Sequence, residues 1–202
     1  MRLRPHVNPL RLVFQQLRHD RLVLPEGAEV EVEIGCAEGL FLFARAAQDP
    51  RLFLVGIEIR EELVHDVNRQ ARATGARVRA EFANANVDFA RMFAPATVAR
   101  VHVNFPDPWF KARQHKRRVV DAALVADIAQ ALRPGGELIV QSDVFELVLE
   151  AMALVEDSPS FANRAGAWSF WKRGCPTGAR TRREEQCEDE RASIWRLVYE
   201  KL

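Results

Sequence analysis

The sequence lacks the features that mark secreted and membrane proteins. Its 202 residues include three cysteines, an odd number without a C-x-x-C pair, which argues against a disulfide framework and a cysteine-built zinc site. No stretch approaches the roughly 18 consecutive apolar residues that a membrane helix needs. The basic N-terminus lacks the apolar core of a secretory signal. We therefore expect a cytoplasmic protein with no metal centre and no membrane anchor.

An overall excess of charge is also lacking. The 29 basic residues nearly balance the 28 acidic ones and leave a net charge of +1, so the total charge favours no particular partner. The basic residues are unevenly distributed, however. Residues 1–24 contain five arginines and one acidic residue, and residues 111–118 contain five cations and a histidine. Such local positive charge suits phosphate groups, and a solvated surface loop is the alternative explanation of either run.

Hydrophobic patterning predicts an α/β fold. The predicted strands lie at residues 29–34, 52–58, 78–82, 101–105 and 137–141. The predicted helices lie at residues 38–48, 60–73, 86–93, 120–132 and 145–156. Because strands and helices alternate at short spacing, we expect an open, mostly parallel sheet with helices on both faces.

The tail and the N-terminus complete this prediction. Residues 167–171 and 193–200 look like two more strands without a full helix between them, which predicts an antiparallel edge. No linker or internal repeat interrupts the chain. One Rossmann-like domain therefore accounts for residues 1–202, with residues 1–27 as a basic N-terminal extension.

The turn after the first predicted strand is a candidate ligand site, since open α/β sheets bind ligands beyond the carboxyl ends of their strands. Gly35 and Gly39 permit a sharp turn and a close approach of a ligand to the backbone. The nicotinamide fingerprint G-x-G-x-x-G is absent, because Ala37 stands at its second glycine. Glu33 beside this turn suits a positively charged group, such as an ammonium or a sulfonium.

The next two strand ends carry further polar side chains. Glu58 ends the second strand, where a carboxylate can accept hydrogen bonds from both hydroxyls of a ribose; a helix-capping or solvated carboxylate is the alternative. Asn84 follows the third strand, and its amide suits the edge of an adenine. Partners for ribose and adenine without a phosphate loop fit S-adenosylmethionine better than a dinucleotide.

The most distinctive string, N-F-P-D-P-W-F-K, follows the fourth strand at residues 104–111. Its two prolines fix a rigid turn that presents Asp107 as an acceptor and Trp109 as an aromatic face. A flat nitrogenous base can stack on the indole while a carboxylate accepts from its N–H edge. A proline-rich loop with a structural tryptophan is the alternative.

This string, followed by H-K-R-R at residues 115–118, resembles the signature of the bacterial tRNA (guanine-N7-)-methyltransferases. Flanking motifs agree in order and spacing over residues 28–200. The resemblance implies a class I methyltransferase fold and methyl transfer from S-adenosylmethionine to N7 of a guanosine in the variable loop of tRNA. It places Glu33, Glu58, Asn84 and Asp107 at cofactor positions. It places these residues at tRNA-substrate positions: Lys111, Asp143, Thr181, Arg182, Arg183 and Glu184.

Asp107 is the expected catalytic residue in this scheme. It would act either by accepting hydrogen bonds from the guanine or by orienting the cofactor, while Trp109 would stack on the base. Lys111 and the cations up to Arg118 would hold phosphates, and Glu184 is a second candidate acceptor for the guanine edge.

The chain departs from the family's usual pattern mainly on the substrate side. The changed positions, with the usual residue in parentheses, are Ala37 (Gly), Asn84 (Asp), Phe110 (Pro), Val144 (Trp), Arg183 (Phe) and Gln186-Cys187 (Arg-Gly). Two alternatives therefore remain open. One is a class I methyltransferase with another RNA or small-molecule acceptor, and the other is a non-catalytic tRNA-binding relative. The sequence leaves the oligomeric state open.

Overall fold

The computed structural model describes residues 7–202. The first six residues of the predicted basic extension lie outside this range. The strands are β1 (Glu29–Ile34), β2 (Leu52–Glu58), β3 (Val78–Phe82), β4 (Val98–Asn104), β5 (Leu132–Ser142), β6 (Phe161–Asn163) and β7 (Trp195–Lys201). The α-helices are α1 (Leu12–Gln15), α2 (Leu40–Ala46), α3 (Glu61–Thr74), α4 (Ala85–Met92), α5 (Ala122–Ala131), α6 (Phe145–Glu156) and α7 (Arg182–Asp189). A 3-10 helix at Ala112–Arg117 lies between β4 and α5.

The strands form one seven-stranded sheet in the order β3-β2-β1-β4-β5-β7-β6. The first five strands run parallel, whereas β7 is antiparallel to both β5 and β6. The chain proceeds outward from β1 to β3 and then returns to place β4 on the other side of β1. Such a reversal is the point where open α/β sheets bind ligands. The predicted α/β fold, mostly parallel with an antiparallel C-terminal edge, is confirmed.

The side chains of β2 show why helices cover both faces of the sheet. Leu52 and Leu54 pack in one buried cluster with residues of α2 and α3. Val55 and Ile57 pack in a second, larger cluster with residues of α4, α5 and α6. Because successive side chains of a strand point to opposite faces, the two clusters lie on opposite sides of the sheet. This arrangement explains the nearly continuous apolar run of β2.

Strand β1 carries a buried carboxylate that the protein satisfies by itself. Glu31 accepts hydrogen bonds from Arg45 at 2.9 and 2.7 Å and from Arg100 at 2.6 Å, and His102 Nε2 lies 3.0 Å from its Oε2. Burial raises the pKa of Glu31, but the hydrogen bonds from His102 and Arg45 and the charge of Arg100 outweigh it and lower the pKa well below its usual range. Glu31 is therefore a structural ion-pair partner, which leaves Glu33 as the buried β1 carboxylate beside the ligand edge.

The tail differs from the prediction. Residues 167–171 form no strand, and β6 at Phe161–Asn163 pairs with β7 instead. The predicted segment begins in a turn in which the Ser169 N–H donates to the Gly166 carbonyl. In the described chain its backbone reaches β7 only through the bond from the Trp171 N–H to the Arg196 carbonyl. One such bond does not make a strand pair. Helix α7 was not predicted at all.

The start of β5 also differs from the prediction. This strand begins at Leu132 rather than at residue 137, because Leu132 pairs with Val98 before the register shifts and the ladder resumes at Arg100 and Glu137. The glycines and proline of residues 133–136 form this irregularity in the strand. They therefore do not separate α5 from the sheet by a free loop.

Two findings bear on the expected absences. Over residues 7–202, every helix is too short or too polar to cross a membrane. The same part of the chain brings together no group of three or more His, Cys, Asp or Glu residues placed to hold a metal ion. Cys36, Cys175 and Cys187 are free thiols. The absence of a metal centre and the cytoplasmic location stay predictions.

Candidate active site

A cavity of about 1010 Å³ opens beyond the carboxyl ends of β1, β2 and β4, at the point where strand order reverses. The predicted site residues that line it are Glu33, Gly35, Glu58, Asn84, Asp107, Trp109, Thr181, Arg182 and Arg183. The predicted site residues outside its lining are Gly39, Lys111, Asp143 and Glu184. The volume lies at the upper end of the range for small-molecule and cofactor sites.

The turn after β1 uses backbone conformations that favour glycine. Gly35 has a φ of 79°, and no atom lies within 4 Å of the position that a Cβ would take there, so this glycine faces open space. Ala37 has a φ of 49° although it carries a side chain, which explains why glycine is usual at this position. A Cβ at Gly39 would meet Val67 at 3.0 Å. Gly39 therefore serves the packing of α2 against α3.

Glu33 is the buried carboxylate of the cavity wall, with 3% of its surface exposed. Its Oε1 accepts a hydrogen bond from Asn104 Nδ2 at 2.9 Å, and its Oε2 is buried without a hydrogen-bond partner in the described chain. Burial raises the pKa of Glu33 to about 8; the bond from Asn104 opposes this shift and the charge of Glu58 adds to it. A buried, half-paired carboxylate of this kind suits a positively charged ligand group.

Glu58 is held in place by Arg60, a cavity residue that the sequence analysis missed. Arg60 Nε and Nη2 donate to the two oxygens of Glu58 at 2.9 and 2.8 Å. The backbone N–H groups of Ala37, Ile59 and Arg60 donate to the same carboxylate at 2.9 to 3.1 Å. The hydrogen bond to Glu58 and the charges of Glu58 and Asp107 raise the pKa of Arg60 against its burial. A ribose at Glu58 would therefore share this carboxylate with Arg60 or displace it.

Asn84 joins the cavity to the N-terminal segment. Its Oδ1 caps α4 by accepting from the Asn86 N–H at 3.3 Å, and its Nδ2 donates to the carbonyls of Pro9 and Phe14 at 3.3 and 3.4 Å. Val7 and Pro9 also line the cavity. Two residues of the predicted extension thus contribute to the wall of the cavity. The adenine-reading role of Asn84 stays a prediction, since its amide nitrogen already serves this segment.

The loop between β4 and the 3-10 helix carries Asp107 and Trp109. Its chain bends sharply, with φ of 47° at Phe105 and 44° at Trp109. The Phe105 N–H donates to the Gln141 carbonyl of β5 at 2.8 Å. The guanidinium of Arg117 lies 4.9 Å from the centroid of the Trp109 ring, a distance at which cation and ring attract each other. The loop thus presents an exposed carboxylate and a supported aromatic ring to the cavity.

The basic run divides into structural and exposed cations. Arg118 donates from Nε to the Pro108 carbonyl at 3.1 Å and pairs with Glu150 of α6, so it ties the loop to the helix instead of facing phosphate as predicted. Lys111, Arg113 and Lys116 are exposed. These three are the cations of the run that the fold leaves accessible to an anionic partner.

Helix α7 brings part of the predicted tail to the cavity and buries the rest. Glu184 is fully buried, and its carboxylate accepts hydrogen bonds from Gln141 Nε2 at 3.1 Å and from Arg196 Nη2 at 2.7 Å. It therefore anchors α7 to β5 and β7 and lies outside the cavity lining, and its guanine-binding role stays a prediction. Asp143 pairs with Arg183 at 2.5 Å, so the arginine at the usual phenylalanine position neutralises this carboxylate.

One sequence signal could have revealed α7. Thr181 caps the helix by accepting a hydrogen bond from the Glu184 N–H at 3.0 Å. A threonine followed three residues later by glutamate is the sequence pattern of a capping box. The partners of Arg118 and Glu184, by contrast, had no signal in the local sequence, whereas Arg60 stands only two residues after Glu58.

Comparison with known proteins identifies the family. A family model described as "Putative methyltransferase" matches residues 27–197. The tRNA (guanine-N(7)-)-methyltransferase of Synechococcus sp. (strain JA-3-3Ab) is 38% identical over 99% of this chain and 86% of its own length. The enzyme of the same name from Synechocystis sp. (strain PCC 6803) is 34% identical over 100% of this chain and 98% of its own length.

Solved structures agree on the fold. The geranyl diphosphate C-methyltransferase of Streptomyces coelicolor, solved with S-adenosyl-L-homocysteine, aligns with a TM-score of 0.58 at 12% identity. The alignment covers 87% of this chain and 74% of that one. At this identity the likeness concerns the fold alone, whereas the two relatives are similar over nearly the whole chain. This chain therefore belongs to the tRNA (guanine-N7-)-methyltransferase family.

Proposed function

We propose that this chain, as a single domain, transfers the methyl group of S-adenosylmethionine to N7 of a guanosine in the variable loop of tRNA. The observation that carries the proposal is the half-paired Glu33 carboxylate, buried in a cavity that also receives Asp107 and Trp109. A site for a cationic cofactor and a site for a flat base thus share one cavity. The names of the curated relatives support the same reaction.

The chain's own residues fit the proposed cofactor. The free oxygen of Glu33 meets a positively charged part of the molecule, and the open face of Gly35 admits it close to the backbone. Glu58 accepts from the ribose hydroxyls. When bound, S-adenosylmethionine supplies a methyl group on a positively charged sulfur. The carboxylates at the ends of β1 and β2 stabilise such a cation, whereas they would repel the negatively charged pyrophosphate of a dinucleotide.

The acceptor side works by alignment and electrostatics. Guanine N7 carries a lone pair and no proton, so the protein needs no general base. Trp109 stacks on the base, and Asp107 either accepts from the N–H edge of the guanine or orients the cofactor. Holding the nucleophile and the methyl group in line supplies roughly 7–11 kcal/mol in favourable cases. The Asp107 carboxylate also favours the positive charge that arrives on the purine.

Labelled methyl transfer to a bulk tRNA pool, followed by mapping of the modified nucleotide, tests this function. The expected product is N7-methylguanosine in the variable loop. Label at another nucleotide, or only on a small molecule, would show that the acceptor differs from the proposed guanosine. Binding of tRNA and cofactor without any transfer would identify a non-catalytic relative.

The cofactor assignment has its own test. Calorimetry should detect binding of S-adenosylmethionine and none of NAD. Glu58→Ala should weaken cofactor binding by about 1–3 kcal/mol, because buried polar groups lose their partner. Tight binding of NAD without binding of S-adenosylmethionine would contradict the assignment.

A further inference from the structure

Phe110 is an exposed aromatic residue, next in the chain to a cavity-lining one, that the reaction above does not use. It is 72% exposed and follows directly after Trp109, which lines the cavity. Consecutive Cα atoms lie about 3.8 Å apart across a trans peptide, and the described chain contains no cis peptide. Two aromatic side chains therefore leave the backbone at neighbouring points, one lining the cavity and one exposed to solvent.

The surroundings of Phe110 are cationic. Lys111 follows it at once, and Arg113 and Lys116 lie exposed on the adjoining 3-10 helix. Within residues 104–118, Phe110 is the one large hydrophobic side chain that is exposed. A single ring among cations does not form the contiguous apolar patch of a protein interface. Aromatic rings beside a basic surface are instead the arrangement that binds unpaired nucleic acid bases.

We propose that Phe110 stacks on the nucleobase next to the target guanosine and is thus a second aromatic platform for tRNA. The inference rests on the proposed function, since it takes tRNA as the acceptor. A guanosine that enters the cavity must leave its stack, which also exposes a face of its neighbour in the strand. Phe110 offers that neighbour a replacement ring outside the cavity, while Lys111 and the other exposed cations meet the phosphates.

Equilibrium binding of tRNA at several salt concentrations tests the proposal with three variants of one position. Phe110→Ala should weaken binding roughly 5- to 100-fold, the usual effect of removing one stacking ring. Phe110→Trp should keep the affinity, whereas Phe110→Leu should lose it despite its apolar side chain. The slope of log affinity against log salt should stay unchanged in all three, because stacking releases no counterions.

Two matched controls separate stacking from other effects. Trp168→Ala removes an aromatic ring that is 61% exposed on another part of the chain, and it should leave tRNA affinity unchanged. Lys116→Ala should flatten the salt slope, unlike any Phe110 variant. Binding of S-adenosylmethionine should be the same in every variant, which shows that each one folds.

Two outcomes overturn the proposal while leaving the function intact. One is methylation of tRNA by the unsubstituted protein together with full tRNA affinity in Phe110→Ala. The other is full affinity in Phe110→Leu, which would mean apolar contact without stacking. Failure of the unsubstituted protein to bind or methylate tRNA would instead overturn the proposed function, and this inference with it.

Discussion

The cavity has a half proposed for the cofactor and a half proposed for the acceptor base, and the two differ in burial and in charge. In the cofactor half, Glu33 and Glu58 are each 3% exposed at the ends of β1 and β2, whose register is fixed by backbone pairing. In the acceptor half, Asp107 is exposed on the loop after β4, and the exposed cations Lys111, Arg113 and Lys116 follow it in the chain, outside the cavity lining. One half consists of buried carboxylates, and the other is exposed and flanked by cations.

This difference determines which physical variable controls each half. A buried carboxylate interacts strongly with a bound cation, and burial raises the pKa of Glu33 to about 8, so the cofactor half should respond to pH. Exposed cations are screened by salt within about 10 Å at 0.1 M ionic strength, so the acceptor half should respond to salt. Asp107 is the exception in the acceptor half, because it is an exposed carboxylate in a region flanked by cations.

Replacing Asp107 should have the largest effect and tests that exception. Asp107→Asn keeps the size of the side chain and the Pro106-Asp107-Pro108 turn but removes the charge that faces a purine becoming cationic. Turnover should fall on the order of 100-fold or more, with little change in the affinity for either substrate. Single-turnover methyl transfer at saturating tRNA and cofactor measures this, and an unchanged rate would show that Asp107 only shapes the loop.

In the cofactor half, a change of pH should have an intermediate effect on the affinity for the cofactor. Glu33 has a pKa of about 8 in the free protein, and a cationic ligand binds its deprotonated form. Affinity for S-adenosylmethionine should therefore rise with pH below this pKa, by about tenfold between pH 6 and pH 7 for a single linked proton.

The matched variant for this experiment is Glu33→Gln, which cannot titrate. It should bind S-adenosylmethionine weakly and with an affinity that stays constant from pH 6 to pH 7. Calorimetry at the two pH values measures both proteins. Equal pH dependence in the variant and the unsubstituted protein would assign the linked proton to another group.

The smallest expected effect is on the salt dependence of tRNA binding, and it should distinguish two cations of the basic run. Lys116 is exposed, whereas Arg118 holds the Pro108 carbonyl and pairs with Glu150. Lys116→Ala should reduce the salt slope of tRNA binding by about 0.7 to 0.9, the value of one phosphate contact.

Arg118→Ala should leave that slope unchanged and lower the melting temperature, since it breaks contacts within the fold. Binding titrations at several salt concentrations and thermal unfolding separate the two variants. A reduced slope in Arg118→Ala would place its guanidinium on phosphate and contradict the division of the basic run.

Local sequence patterns predicted the sheet and the polar residues gathered at its strand ends. The alternation of Glu29–Ile34 and the apolar run of Leu52–Glu58 specify strands over a few residues, and parallel strands gather their carboxyl ends at one edge. Glu33, Gly35, Glu58 and Asn84 therefore line one cavity, as residues at successive strand ends should. Their exact ligand contacts stay predictions.

The tail was predicted less well because its structure depends on distant partners. Residues 167–171 have strand-like composition, but Phe161–Asn163 takes the edge position beside β7. The sequence made Glu184 a candidate acceptor for the guanine edge, yet it is fully buried and accepts hydrogen bonds from Gln141 and Arg196. No local pattern distinguishes these outcomes, since they depend on which segment pairs with β7 and which side chains surround the carboxylate in the folded chain.

The sequence alone thus settled the α/β architecture and the strand ends that form the cavity, because both follow from periodicities of a few residues. Tertiary folding assigned the individual polar partners: Arg118 to Glu150, Arg196 to Glu184, and the N-terminal segment to Asn84. A charged side chain takes the partner that lies within hydrogen-bonding distance after folding. That distance is set by the packing of elements far apart in the chain, and a local motif does not contain it.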